Sequence, residues 1–394
     1  MPATSTSPLG LRLETARAAA RLSRRQLHEL SGVSPSMIQK IGNGERRPSD
    51  QVLAALAGVL GTTSEELLGG PGRTDSRVHQ AIPDLQQAIA SYDLPEDGPV
   101  RPLSQIAVEV AAAVEDRVQS QYVRLSEQMP ALLAELFRAV DRSCGREREE
   151  AARLLALAVR SADAVAYKYG YRDLSGRLVE LMRWAAGIAA DPALDAAAAY
   201  VRMEVFFAAG QLGPGLRSLR GALDRMPAPR TERLAAAAAA LHMRAAVTAG
   251  RMRRGDDARA HLREAERLAR RVQERLYDGT AVGPDSLEIH RLSVAVELGE
   301  ENDLHEAVAT AARWAPPRDL AAERRSHYYI DLSRAQVQLG RPQHAADSLL
   351  VARQIAPQHV REHGQVRTSL ATMVRLTRGR DERMLALARW AKAV

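Results

Sequence analysis

Lysine, asparagine, cysteine and aromatic residues are all scarce in this chain of 394 residues. Three Lys stand beside 52 Arg, Asn occurs only at positions 43 and 302, and Cys144 is the single cysteine. One cysteine excludes an intrachain disulfide, and this usage fits a reducing compartment. The longest weakly apolar stretch, Leu234 to Leu241, is mostly Ala and too short to span a bilayer. The first twenty residues hold no apolar run of signal-peptide length. A soluble chain in the cytoplasm, with no membrane partner, is the expectation. No Walker loop, dinucleotide fingerprint, nucleophile elbow or Cys/His cluster appears. The chain is therefore expected not to be an enzyme and to hold neither cofactor nor metal.

What is abundant is Ala, Leu and Arg, a composition that favours helix over sheet. The length allows two or three domains. The formal net charge of +7 admits an acidic partner, although the excess is modest. Residues 1–70 read as several short helices. Residues 71–102, with Pro83 and the run DLPEDGPVRP, read as a linker holding one helix near Arg77 to Tyr92. From 103 to 394 the pattern is helical, with Gly and Pro at the boundaries.

This long region repeats. A helix ending in small residues and Gly, a polar turn, and a second helix with Ala and Leu at helical spacing recur at Gly170, Gly210, Gly250, Gly299, Gly340 and Gly379. The separations are 40, 40, 49, 41 and 39 residues, and the long interval holds a loop-like insertion from Tyr277 to Asp285. A period of this size means stacked helix pairs.

Charge concentrates at the other end. Residues 12–47 carry eight basic and three acidic side chains. Here Leu27 and Leu30 lie on one side of a short helix, and Gly32 suits a left-handed turn. Ser34 suits a helix N-cap and Pro35 the first helical position. Ile38 and Ile41 then share a face, with Ser36, Gln39 and Lys40 pointing away. Helix, glycine turn and second helix with a polar outer face predict a helix-turn-helix, whose second helix fits the DNA major groove.

The stretch from Leu9 to Leu68 resembles the Xre/Cro, or phage-repressor, class of helix-turn-helix proteins. The carrying elements, in order, are an Arg-rich first helix, "LSRRQL", "GVS", Ile41 shortly before Gly44, Pro48, "ALAGVLG" and "LL". The resemblance implies that Ser36, Gln39 and Lys40 face the bases. Lys40 would pair with guanine and Gln39 with adenine, while Pro35 stands where the class often has a polar reader. It also implies that Arg24, Ser34, Asn43, Arg46 and Arg47 hold phosphates. Arg24 replaces a frequent Gln, and Gly42 replaces a frequent Glu.

The repeat units resemble tetratricopeptide repeats over about residues 147–394, with a longer period and few of the usual aromatic positions. The whole architecture resembles peptide-sensing regulators of Gram-positive bacteria, in which groove Asn side chains clamp the ligand backbone. The repeat region here offers only Asn302. The groove residues expected to meet a ligand, on the first helices of the pairs, are Tyr200, Arg202, Arg244, Tyr328 and Tyr329. Packing between repeats is the competing role for the aromatics, including Tyr167, Tyr169 and Tyr171. The "HVREH" run, His359 to His363, matches a zinc pattern, yet with no third ligand in view it reads as the polar surface of a repeat helix. Cys144 reads as an incidental thiol.

The expected protein is an all-α, DNA-binding transcription regulator, nucleoid-associated in the cytoplasm. It binds double-stranded DNA as a homodimer formed through a tetratricopeptide-like α-solenoid that senses a small molecule, peptide or protein. The alternative is a helical scaffold tethered to DNA by its head.

Overall fold

The computed structural model describes residues 8–20, 22–46, 48–60, 67 and 76–394. Contacts divide the chain into two units, Met1–Thr74 and Asp75–Val394. The fold is all-α, and among the described residues the strands are confined to one two-stranded sheet.

The head holds α1 (Pro8–Ala19), α2 (Arg24–Ser31), α3 (Pro35–Gly42) and α4 (Asp50–Leu60). Leu13, Leu27, Val33, Ile38, Ile41, Leu53, Leu56 and Leu60 form its core. Leu30 is a correction, because it is 63% exposed instead of packing beside Leu27. Eight residues make barely two turns, and the chain reverses at Gly32, so Leu30 lies past the side that α3 and α4 cover. At the far end of α3, a Cβ on Gly10 would lie 2.0 Å from the Gly42 carbonyl oxygen. Here α1 and α3 meet backbone to backbone, and only glycine fits at position 10.

The second unit begins with α5 (Ser76–Ala90), the helix expected near Arg77 to Tyr92. Val78, Ile82, Leu85 and Ile89 recur at helical spacing and are buried in the main core, so α5 belongs to the helical array. Seven helix pairs follow among the described residues. They are α6 (Leu103–Val118) with α7 (Tyr122–Arg142), α8 (Gly145–Lys168) with α9 (Arg172–Ala189), α10 (Pro192–Ala208) with α11 (Leu212–Arg225), and α12 (Glu232–Arg251) with α13 (Gly255–Ala269). After them come α14 (Pro284–Leu298) with α15 (Glu301–Ala311), α16 (Ala322–Gln338) with α17 (Pro342–Ile355), the short α18 (Pro357–Glu362), and α19 (Gly364–Leu376) with α20 (Glu382–Trp390). First helices from α10 to α16 pack each on the next, as α6 does on α8.

A left-handed residue ends most first helices. At Gly170 (φ 81°) its N–H reaches the Tyr167 carbonyl at 3.2 Å, and the N–H of Tyr171 reaches Ala166 at 2.8 Å. This closure satisfies carbonyls that the helix end would leave unpaired. Gly250 departs from the expectation: it lies inside α12, and the turn falls at Arg253 (φ 57°). Its small size serves packing instead, since a Cβ there would stand 3.2 Å from Glu297 Cβ on α14. Ser120 (φ 59°) makes the same turn between α6 and α7. A count of glycines misses that first pair, so the array starts earlier than residue 147.

The insertion expected as a loop is a hairpin, β1 (Arg275–Tyr277) paired antiparallel with β2 (Thr280–Val282). Asp278 and Gly279 both have positive φ, the signature of a two-residue hairpin turn. The hairpin reaches across the array. The Gly279 carbonyl accepts a bond from Arg117 on α6, and the Asp278 carbonyl accepts one from Arg160 on α8. The array also curls until α16 touches α6. Gln358 Oε1 accepts from the backbone N–H of Tyr122 at 2.9 Å, and Glu323 on α16 pairs with Lys168 on α8 at 3.3 Å. These contacts close the curl around a central chamber.

Candidate functional site

In the head, local chemistry builds the turn. Ser23 caps α2 and exchanges bonds with Gln26, whose Oε1 accepts the Ser23 N–H at 2.8 Å, a capping box. Gly32 (φ 69°) ends α2, with its N–H on the His28 carbonyl. His28 Nδ1 lies 2.9 Å from the Val33 carbonyl across the same turn. Ser34 caps α3, and Pro35 is its first residue. Ile38 and Ile41 face the core, while Ser36, Gln39 and Lys40 are exposed together on the other side.

The expected phosphate contacts are less uniform. The Ser34 hydroxyl already accepts the Met37 N–H at 3.3 Å, and Asn43 donates to Glu45 at 2.8 Å. Arg24 is exposed but holds Glu14 at 3.0 Å. Burial pushes the Glu14 carboxyl up, and Arg17 and Arg24 outweigh it and hold the group low. Arg46 is exposed, and Arg47 lies outside the described residues.

Residues 8–68 match the family model described as a helix-turn-helix domain. The head is a helix-turn-helix DNA-binding domain. No curated protein and no solved structure shows significant similarity to the chain. Among the described residues no helix is long and apolar enough to cross a membrane.

The second candidate site is the chamber of the array, about 520 Å³ in volume. Its lining carries nine Arg or Lys side chains against five carboxylates. First helices supply most of it, since their facing sides form the inner wall. Tyr200 and Arg244 line it as expected, with the Arg244 guanidinium 3.9 Å over the Tyr200 ring. Three expected ligand residues do not. Arg202 faces a separate outer pocket, near Glu180 at 3.7 Å. Tyr328 is buried against Trp314, and its hydroxyl reaches the Trp314 carbonyl at 3.3 Å. Tyr329 packs on the last apolar cluster. Both tyrosines stabilise the repeats. Tyr169 does likewise against Tyr122, and Tyr171 lies 2.6 Å from His79 Nδ1, whereas Tyr167 lines the chamber. Asn302 is exposed on α15, and Cys144 is exposed before α8.

Sequence reasoning missed Arg117, Arg160, Glu323, Arg324, His327 and His363, all on the chamber wall. One signal was legible: Arg160 interrupts the apolar run LALAVRSADAVA, and a charge inside such a run needs a partner. Their convergence was not legible, because these residues lie up to 246 positions apart.

The HVREH expectation also changes. His359 is fully buried, not on a polar surface, and its Nδ1 lies 2.7 Å from Ser326 Oγ. His327 on α16 supplies a third imidazole, and the three offer nitrogen atoms within 4.8 Å of one another. However, Lys168 Nζ stands 3.1 Å from His359 Nε2. A divalent cation would have to displace this ammonium from a wall already rich in positive charge. The purified protein is therefore expected to carry far less than stoichiometric zinc. Elemental analysis showing one zinc per chain, lost in His363→Ala, would reverse this.

Proposed function

We propose that this chain is a sequence-specific transcription regulator. Its head reads the major groove through α3, and its array, tetratricopeptide-like in its helix pairs, senses a ligand in the chamber. The observation that carries the sensor is the closure of α16 against α6 around a charged interior. An array that displayed itself to a protein partner would keep an open apolar groove. A peptide clamped through Asn has no support here, because the lone Asn302 faces away from the chamber. The reading assigns the chain no catalytic step.

The DNA arm rests on the exposed face of Ser36, Gln39 and Lys40. Genome-wide binding-site mapping with the purified protein, with and without cell extract, supplies the operator. On that operator, Lys40→Ala is expected to cost about 1–3 kcal/mol and relax one base position. Arg46→Ala is expected to weaken all sequences alike and to reduce the salt slope by about one. An unchanged operator affinity in Lys40→Ala would remove α3 from the bases.

One small head buries too little surface for tight binding, so the reading includes a homodimer formed through the array on a two-fold site. Light scattering should give a dimeric full chain and a monomeric fragment of residues 1–75. A monomeric full chain would refute the dimer.

A further inference from the structure

The positive charge of the chamber gathers around one hydroxyl. Tyr200 is buried, and Arg324 Nη2 donates to its oxygen at 3.1 Å. Arg244 stacks on its ring, and the Arg160 guanidinium stands 5.8 Å from the ring centre. Arg244 has a carboxylate, Glu204, at 3.5 Å. Among the described residues Arg160 and Arg324 have no carboxylate at ion-pair distance: Arg160, 6% exposed, donates to the Asp278 carbonyl at 2.6 Å, and Arg324 donates to Tyr200. Nearby, Arg117 is 6% exposed and meets Glu323 at 3.8 Å, while its Nε is unpartnered. Burying guanidiniums such as Arg160 and Arg324 with no carboxylate in contact is unfavourable unless something completes them. The field is visible in the titration of its neighbours. Burial would raise the Tyr200 hydroxyl, but Arg244, Arg324 and Arg160 pull it down to about 8. Burial, then Arg117, lowers Arg160 to about 9, which leaves it charged at neutral pH.

We propose that Arg160, Arg244 and Arg324 bind the carboxylate or phosphate of a small organic anion, whose apolar body lies along Phe207, Val247 and Ile289. Guanidinium forks match both head groups in geometry and charge. The apolar residues named share the chamber lining with the cluster, and the volume lies in the usual range for small-molecule sites. The proposal rests on the sensor reading and names its ligand class.

Isothermal calorimetry on the full chain tests it with phenyl phosphate, with phenylacetate, and with uncharged phenylacetamide as the control. At least one anion should bind saturably at about 10 mM or below, and the amide should bind at least about tenfold more weakly. The relative strength of the two anions tells phosphate from carboxylate. Arg324→Gln, which keeps a donor for Tyr200, and Arg160→Gln should each weaken the anion at least about tenfold, with an unchanged circular dichroism spectrum. Tyr200→Phe, which keeps the stacked ring, should also weaken it and guards against a folding defect in the Arg variants. Equal binding of amide and anions, no binding of either anion, or indifference to all three variants overturns the site. Operator affinity is measured in the same samples. Anion binding that never changes operator affinity leaves the site standing and refutes the sensor. A cell-extract effect identical in wild type and Arg324→Gln keeps the sensor and refutes this site.

Discussion

Lowering the pH from 7 to 4 is expected to unfold the helical array, with the loss setting in below about pH 6.5. His290 on α14 is 6% exposed, and its Nδ1 lies 2.7 Å from the Ser286 carbonyl. Burial, then the charge of Arg324, lowers its imidazole to about 3. The folded value lies below the unfolded one, so the unfolded chain takes up the proton first. The stability from neutral His290 is fully present above the unfolded pKa and falls by about 1.4 kcal/mol per pH unit as the pH drops towards the folded value. Burial and Lys168 push His359 down as well, which adds a slope of the same sign. Buried Asp163 opposes with one slope, because burial and Glu204 raise its carboxyl and acid relieves that cost. His242, lowered to about 4 by burial and His261, restores the balance towards loss. Glu323 and Asp331, both held near 2 against burial by their cationic neighbours, contribute only below about pH 4. Since Trp184, Trp314 and Trp390 all lie in the array, denaturant melts followed by tryptophan fluorescence report it alone. The slope of stability against pH between 6 and 4 should shrink by about 1.4 kcal/mol per unit in His290→Gln. A wild-type array equally stable at pH 7 and 4.5 would contradict the assignment.

Asp331→Ala should destabilise the array by about 3–5 kcal/mol at neutral pH, the usual effect of removing one partner from a buried charge pair. Asp331 is fully buried on α16. Its carboxylate accepts from Ser293 at 2.5 Å and Arg334 at 2.8 Å, and it stands 3.4 Å from His327 Nε2. Arg334 continues to Glu297 at 3.1 Å, and Glu297 to Arg251 at 3.3 Å. The network thus ties α16 to α14 and α12 along the chamber wall. Removing Asp331 leaves the Ser293 hydroxyl only the Ile289 carbonyl, at 3.1 Å, and leaves Arg334 a single carboxylate, Glu297. Asp331→Asn keeps an acceptor of the same shape and should cost clearly less. The readout is again the fluorescence midpoint at constant m-value. Equal midpoints for wild type and Asp331→Ala would mean that the network contributes nothing net.

The head was legible in the chain because its information is local. Ser23, Gly32, Ser34 and Pro35 act on backbone groups within four residues, and Leu27, Ile38 and Ile41 need only helical spacing to share a core. Its one misjudged residue, Leu30, depended on where neighbouring helices end. The period of the array was legible for the same reason: a left-handed turn recurs wherever a helix pair closes, usually at glycine. Gly250 and Ser120 show the limit, since a helix can run through a glycine and a serine can take the left-handed turn. The Asp278–Gly279 pair also carried a local hairpin signal.

By itself, then, the sequence determined the helix-turn-helix head, the all-α class and the stacked pairs, since propensity, caps and periodicity act over a few residues. Only the tertiary structure decided that the array closes on itself. Closure depends on small rotations summed over every pair, which no single stretch encodes. The same sum brings Arg160 beside Arg324 and His327 beside His359, and it turns Tyr328 into packing while Tyr200 faces the chamber.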